Sequence, residues 1–315
     1  MSTQDGGPAL DVVSIGEPMI EFSALPDDPG RYLQGFGGDT MNAVIAAARQ
    51  GARVSYITRL GDDDFGRMLR ELWVREGVDA SSVGVDPVAP TGLYFIHHGP
   101  EGHRFSYRRA GSAASLLRPG HLPRDLIANT RYLHTSAITQ AIGVGACDAV
   151  FEAIAHAREH GVAVVYDPNL RLNLWPLARA RAVIAATAAQ ADCFLPSLDD
   201  AQLLSGLEVP EDILSWARDL GAGQVVLKLG AEGVLAWDGT EVRRLPGHAI
   251  TVVDATGAGD CFAGSFMACR ARGEGFWEAL AFANAAAALA CGRYGAVASY
   301  PDRGAVEGFL GRVAG

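Results

Sequence analysis

Lysine is almost absent from this sequence: Lys228 is the only one in 315 residues. Positive charge as a whole is scarce, with 26 Lys and Arg against 36 Asp and Glu and a formal net charge of -10. A protein that grips nucleic acid through its phosphates needs a basic face, so no nucleic-acid partner is expected. The five cysteines (Cys147, Cys193, Cys261, Cys269 and Cys291) are odd in number and scattered, with no C-x-x-C pair. That supports neither a zinc ligand set nor a disulfide framework, and points to buried thiols. No apolar run approaches the ~18 residues that span a bilayer. The first eight residues are polar and glycine-rich and lack the apolar core of a secretory signal. The expectation is a cytoplasmic protein with no membrane partner: a disordered leader over residues 1–10, then one domain over 11–315. With 49% hydrophobic and 20% charged residues, wholesale disorder is excluded.

What is present is an alternation. Short β-branched runs at 12–15, 54–58, 163–167, 193–195 and 224–227 are separated by longer helical stretches, including 42–50 and 65–76. That order predicts a three-layer α/β/α fold, doubly wound on a mainly parallel sheet. Two segments, 20–36 and 91–109, have no helical period and hold turn residues between strand-like runs (Pro26, Asp27, Asp28, Pro29, Gly30; Gly99, Pro100, Glu101, Gly102). They read as inserted hairpins, placed to close as a small β lid from residues near 18–37 and 91–109 over the strand ends or to lie as plain surface hairpins. His97, His98 and His103 fall in the second of them without metal-ligand spacing, and solvent exposure is expected there.

The densest chemical signal is Val252-Val253-Asp254-Ala255-Thr256-Gly257-Ala258-Gly259-Asp260. It reads as a strand ending near Asp254, a glycine turn, and a helix from about 258 to 271. Glycines at a helix start let backbone N–H groups approach an anion, which the helix dipole favours. Asp260 then lies in the first turn beside that anion. Proton abstraction from a hydroxyl attacking a γ-phosphate would give such a carboxylate a role. An aspartate in a first helical turn also simply complements the dipole. The spacing is not G-x-G-x-x-G and does not follow the first strand, which argues against a nicotinamide oxidoreductase, and the G-K-[ST] of a Walker loop is missing.

Residues 254–260 resemble the D-T-x-G-A-G-D signature of the ribokinase-like, or phosphofructokinase-B, carbohydrate kinases. Gly37-Gly38-Asp39-Thr40-Met41-Asn42-Ala43 resembles that family's G-G-x-x-x-N-x-A, and residues 60–66 its G-x-D-x-x-G stretch. The resemblance implies ATP and Mg²⁺ as cofactors. Asp260 would be the catalytic base, and Gly257, Ala258 and Gly259 the anion hole for the transferring phosphoryl. Lys228-Leu229-Gly230-Ala231-Glu232-Gly233 looks like the nucleotide loop, which puts Lys228, Gly230 and Gly233 at the nucleotide, with Asn169 and Asn284 also on that side. Asn284 could equally be a satisfied buried amide. Two departures stand out. Ala255 replaces a usual threonine, and Ser197-Leu198-Asp199-Asp200 stands where the family's N-x-x-E motif organises magnesium. Ser197 would then contact nucleotide and Asp200 would hold Mg²⁺ through water, or Ser197 merely caps a helix. A monovalent cation such as K⁺ is a further possibility beside Asp254 and Gly295-Ala296, and a homo-oligomer through exposed lid edges is expected.

For the acceptor, the family uses the segment of Gly37, Gly38, Asp39 and Asn42 to bind sugar hydroxyls, although Asp39 or Thr40 could also cap the helix. Side chains alternate along a strand, so Tyr107 and Arg109 share one face and Arg108 points the other way. A phenol and a guanidinium together suit a carboxylate. Arg171, after the strand at 163–167, would be a second guanidinium. Gly16-Glu17-Pro18-Met19-Ile20, Y-x-R-x-G-S-A-A-S at 107–115, D-x-N-x-R-x-x-L-W at 167–175 and P-S-x-x-D at 196–200 resemble the 2-keto-3-deoxygluconate kinases of the family. That implies Tyr94, Tyr107, Arg109 and Arg171 around a sugar acid. The alternatives are a neutral-sugar kinase such as a fructokinase, with Arg109 paired to a lid carboxylate, and a non-catalytic sugar-acid sensor.

Overall fold

The structure is a computed structural model that describes residues 9–25, 28–99 and 102–313. Nine strands form one sheet in the order Val242–Leu245, Val234–Trp237, Val225–Lys228, Cys193–Phe194, Ala163–Asp167, Thr130–Ser136, Leu10–Ile15, Val54–Ile57, Val78–Asp79. The seven from Val225–Lys228 to Val78–Asp79 are parallel, and the two at the other edge are antiparallel. Alternate residues of one strand serve opposite faces. Val12, Val165 and Val226 enter one core, while Val13, Val164 and Leu227 enter the other. A sheet apolar on both faces must be covered on both, and helices do so. Asp39–Arg49, Ala258–Ala271 and Phe276–Ala290 pack on the first face, and Val144–Glu159, Leu177–Ala188 and Pro210–Asp219 on the second. The α/β/α expectation holds.

The expected hairpins form a separate four-stranded sheet in the order Asp28–Gly37, Met19–Leu25, Leu93–Gly99, Gly102–Arg108. The turn residues Pro26, Asp27, Pro100 and Glu101 lie outside the described residues, as do the side chains of His98 and His103 and the expected leader through residue 8. Leu10, the last residue of the expected leader, belongs to the first strand and pairs with Thr130.

Two strand assignments change. Thr130–Ser136 is a central strand that the apolar pattern does not show. Conversely, no strand ends at Asp254: Val252 and Val253 are 62% and 41% exposed. The hairpin Val234–Trp237 and Val242–Leu245 takes the sheet edge next to Val225–Lys228, and the N–H groups of Val253 and Asp254 instead reach the Cys291 carbonyl.

One close approach fixes the site. A Cβ on Gly264 would stand 2.1 Å from the Ala43 carbonyl oxygen. The helices Asp39–Arg49 and Ala258–Ala271 therefore touch backbone to backbone, and Asn42 of one meets Asp260 of the other.

Candidate active site

The first strand is flanked by Thr130–Ser136 on one side and Val54–Ile57 on the other, so the winding reverses there. In open α/β sheets a crevice forms at such a point, outside the carboxyl ends of the strands. A cleft of about 980 Å³ opens here. Glu17 follows the first strand, while Asp167 and Lys228 end theirs, and all three line it. Tyr94, Phe105 and Tyr107 of the small sheet line the cleft as well.

The glycine turn is held from several sides. Gly257 has φ 74°, and a Cβ there would be 2.4 Å from the Tyr300 hydroxyl oxygen, whose O–H donates to the Gly257 carbonyl (2.9 Å). Asp254 accepts from the Thr256 N–H and hydroxyl (2.9 and 2.6 Å) and from the Gly295 N–H (2.9 Å). The helix beginning at Ala258 presents its first turn to the cleft, where N–H groups lack intrahelical partners. The Ala258 N–H is already engaged by the Ala255 carbonyl (3.2 Å). Beside Gly259 there is room: within 4 Å a Cβ would meet only the Lys228 ammonium, at 3.4 Å.

Asp260 lies in that first turn and accepts a hydrogen bond from Asn42 Nδ2 (2.8 Å). Burial pushes its carboxyl up to about 8, and the charge of Asp39 acts in the same direction. A carboxylate poised near neutrality suits a general base. Lys228 pairs with Asp167 at 2.5 Å. Asp167 also accepts the Asn169 N–H (3.1 Å), and Asn169 Nδ2 donates to Asp39 (3.0 Å). Asn169 is the non-glycine residue at positive φ among the described residues, a conformation that asparagine tolerates, and it closes the Asx turn made by the Asp167 side chain. Asp39 does not cap its helix. Gly38 is the N-cap, with no side-chain bond, which frees the Asp39 carboxylate for Asn169; Thr40 bonds Tyr56 instead.

Ser197 caps the helix Leu198–Ser205, accepting from the Asp200 N–H (3.2 Å). Asp200 accepts from the Leu170 N–H (3.1 Å), and burial raises its carboxyl. Both line the cleft with Asp199.

At the other end, Arg109 stacks its guanidinium over the Tyr107 ring, 5.3 Å from the centroid. Arg108 is exposed and bonds its neighbour's carbonyl, so the alternation of faces holds. Arg109 is not free, however. Its Nη2 contacts Glu17, a fully buried carboxylate that also accepts from Ser112 Oγ (2.9 Å). The Nε of Arg109 is buried with no hydrogen-bond partner. Tyr94 donates to Glu21, and Arg171 is exposed at the cleft edge with its Nη1 on the Leu170 carbonyl (2.8 Å).

Three expected contacts are not among the cleft-lining residues. Asn284 donates to the Pro246 carbonyl (2.8 Å), as a satisfied buried amide would. Gly233 has φ 92°, and the chain at Leu245 leaves no space for a side chain: a Cβ would be 2.2 Å from its carbonyl oxygen. Gly37 gives room to Tyr94, whose hydroxyl would be 2.1 Å from a Cβ there. Sequence reasoning passed over Glu17, Glu21 and Ser112 as site residues. The segment 16–20 drew notice only as a motif, and its pairing with residue 109 depends on how the two sheets meet.

A glycine-turn helix start, a perturbed carboxylate within it and one lysine beside it, on this sheet order, define a phosphotransferase of the ribokinase-like fold. The chain belongs to the pfkB family of carbohydrate kinases, whose model matches residues 9–303, and it is an ATP-dependent phosphotransferase acting on sugar hydroxyls. It is similar to 2-dehydro-3-deoxygluconokinases of Thermoproteus tenax (37% identity, 96% of this chain and 94% of that one) and Bacillus subtilis (32%, 96% and 95%). A probable fructokinase-5 of Arabidopsis thaliana is 33% identical over 92% and 94%. A putative ribokinase II of E. coli, in complex with ATP and Mg²⁺, superposes with TM-score 0.88 at 27% identity over 96% of this chain and 99% of that one. A Vibrio cholerae fructokinase double mutant with fructose, ADP and potassium gives 0.86 at 27% over 96% and 99%.

Proposed function

We propose that this sugar kinase phosphorylates 2-keto-3-deoxygluconate at its terminal hydroxyl. The observation that carries the reading is the Tyr107–Arg109 stack in the cleft, with the partnerless Arg109 Nε and with Arg171 at the rim. Arg109 and Arg171 bring two guanidinium groups to the Tyr107 side of the cleft, the donors that a sugar-acid carboxylate takes. The names of the two gluconokinase relatives agree.

In this mechanism Asp260 takes the proton from the attacking hydroxyl, and Asn42 holds Asp260 in place. Asn42 Oδ1, buried without a partner, accepts a sugar hydroxyl, and Asp39, Gly38 and Tyr94 complete that wall. The Gly257–Gly259 turn and Lys228 stabilise the charge that develops on the transferring phosphoryl. Asn169, Ser197 and Gly230 border the nucleotide. Asp199 and Asp200 offer hard oxygen ligands of the kind Mg²⁺ takes, largely through water, and the ion would neutralise phosphate charge. Potassium would sit by Asp254 and Gly295-Ala296. The small sheet acts as a lid, and its outer strands pair with a second copy. No helix of the described residues is long and apolar enough to cross a membrane.

The Glu17–Arg109 ion pair favours a second reading, a neutral-sugar kinase in which Glu17 cancels Arg109. The two part on one experiment. Under the sugar-acid reading Arg109→Ala removes a charge-assisted bond of about 1.5–3 kcal/mol, a loss of roughly 10- to 150-fold in kcat/KM. The effect should fall mostly on KM, because the carboxylate is remote from the reacting hydroxyl. Arg109→Lys should recover part of it, since an ammonium lacks the planar fork. Arg108→Ala should change little. If the Ala variants behave alike, or fructose is the better substrate, the sugar-acid reading fails and the kinase assignment stands.

A further inference from the structure

The helix Val144–Glu159 ends in His156-Ala157-Arg158-Glu159-His160, immediately before the strand Ala163–Asp167 begins. This is the amino-terminal edge of the sheet, opposite the catalytic cleft. Spacings of three and four put His156, Glu159 and His160 on one helical face. One donor atom from each lies within 4.8 Å of the others. The two imidazole centroids are 4.3 Å apart, and His156 Nδ1 is 4.0 Å from Glu159 Oε2.

One nitrogen of each ring is engaged by a backbone carbonyl. His156 Nε2 bonds the Arg124 carbonyl at 3.0 Å, and His160 Nδ1 bonds the His156 carbonyl at 2.9 Å. A carbonyl oxygen only accepts, so those two nitrogens carry the ring protons. In the neutral rings the lone pairs are then on His156 Nδ1 and His160 Nε2. Metal-binding histidines are oriented in this manner, with the far N–H on a carbonyl or carboxylate. The neighbouring cations have partners of their own: Arg124 pairs with Glu152, and Arg158 donates to the Gln190 carbonyl. The carbonyl dipoles of a helix C-terminus also favour a cation.

We propose that His156, Glu159 and His160 form a surface site for a borderline divalent transition metal, represented by Zn²⁺ or Cu²⁺, with water completing the coordination. Two imidazoles and one carboxylate suit those ions. Mg²⁺, which takes oxygen ligands, is not selected. Binding would tie the last helical turn to the following loop and so stabilise the folded chain by mass action.

The full chain, stripped with chelator and held in excess Mg²⁺ to saturate oxygen-only sites, is titrated with Zn²⁺ by calorimetry. One equivalent should bind, with a matching rise in Tm. His160→Gln and His156→Gln should each weaken binding at least roughly 10-fold, with kinase activity unchanged. Cu²⁺ at the same site should show the electron paramagnetic resonance hyperfine pattern of two nitrogens. The site is refuted if no saturable zinc binding occurs, if binding survives in the double His→Gln variant, or if copper shows no nitrogen ligation.

Discussion

Asp260→Asn is expected to lower turnover by about 10²–10⁴-fold, the usual worth of a positioned general base, while ATP affinity changes little. Asparagine keeps the size of the side chain and loses its basicity. A base acts only when deprotonated. In the wild type kcat/KM should therefore rise with pH and level off above about 8, where burial and Asp39 have moved the carboxyl. The same shift has a stability consequence of opposite sign. The unfolded chain releases this proton near the ordinary aspartate value of 3.8, whereas the folded chain keeps it to about 8. Between those values the folded state binds more protons, so this group's contribution to stability falls as pH rises. Asparagine cannot ionise, so the Tm advantage of the variant over the wild type should grow across that window and then level off. A variant that keeps most of its turnover would end the catalytic-base assignment.

Gly259→Val should abolish phosphoryl transfer in a protein that still folds. Its backbone is not in the left-handed region, and a Cβ there would stand 3.4 Å from the Lys228 ammonium. The intrusion falls where a phosphoryl oxygen must sit. Loss of a single anion-hole donor already costs about 10²–10³, and a β-branched side chain would displace the anion itself. Gly257→Val differs in kind. With φ 74° and a Cβ 2.7 Å from that of Ala296, it should lose stability as well as activity, seen as a lowered Tm. A folded Gly259→Val enzyme with ordinary activity would remove the anion hole from this turn.

Much of the fold was legible because its strands are buried on both faces and read as β-branched runs. The central strand Thr130–Ser136 escaped for the converse reason. It buries His134, Thr135 and Ser136, and polar residues do not announce a core strand. Neighbours answer two of them: Ser14 meets His134 Nδ1 at 2.9 Å, and the Thr135 hydroxyl donates to the Ile15 carbonyl at 3.2 Å, whereas Ser136 Oγ is buried without a hydrogen-bond partner. The opposite error arose at Val252-Val253, a β-branched pair with no sheet edge left to join.

In the site, the legible residues were those in contiguous motifs. Asn42, Asp260 and Lys228 meet in one cleft from three distant segments. What stayed hidden was pairing. Nothing local says that Glu17 answers Arg109, that Tyr94 donates to Glu21, or that the Asn284 amide is taken by Pro246. Each depends on how two sheets or two layers are set against one another.

The solitary lysine has a practical side. Lys228 carries the only side-chain amine in the sequence, and its side chain is 14% exposed at the bottom of the cleft, between Asp167 and Gly259. On most proteins an amine-reactive dye or resin finds many side chains to attach to; on this chain the only side-chain amine it could reach is the one beside the glycine turn, so side-chain labelling at amines would fall at a single place, inside the cleft.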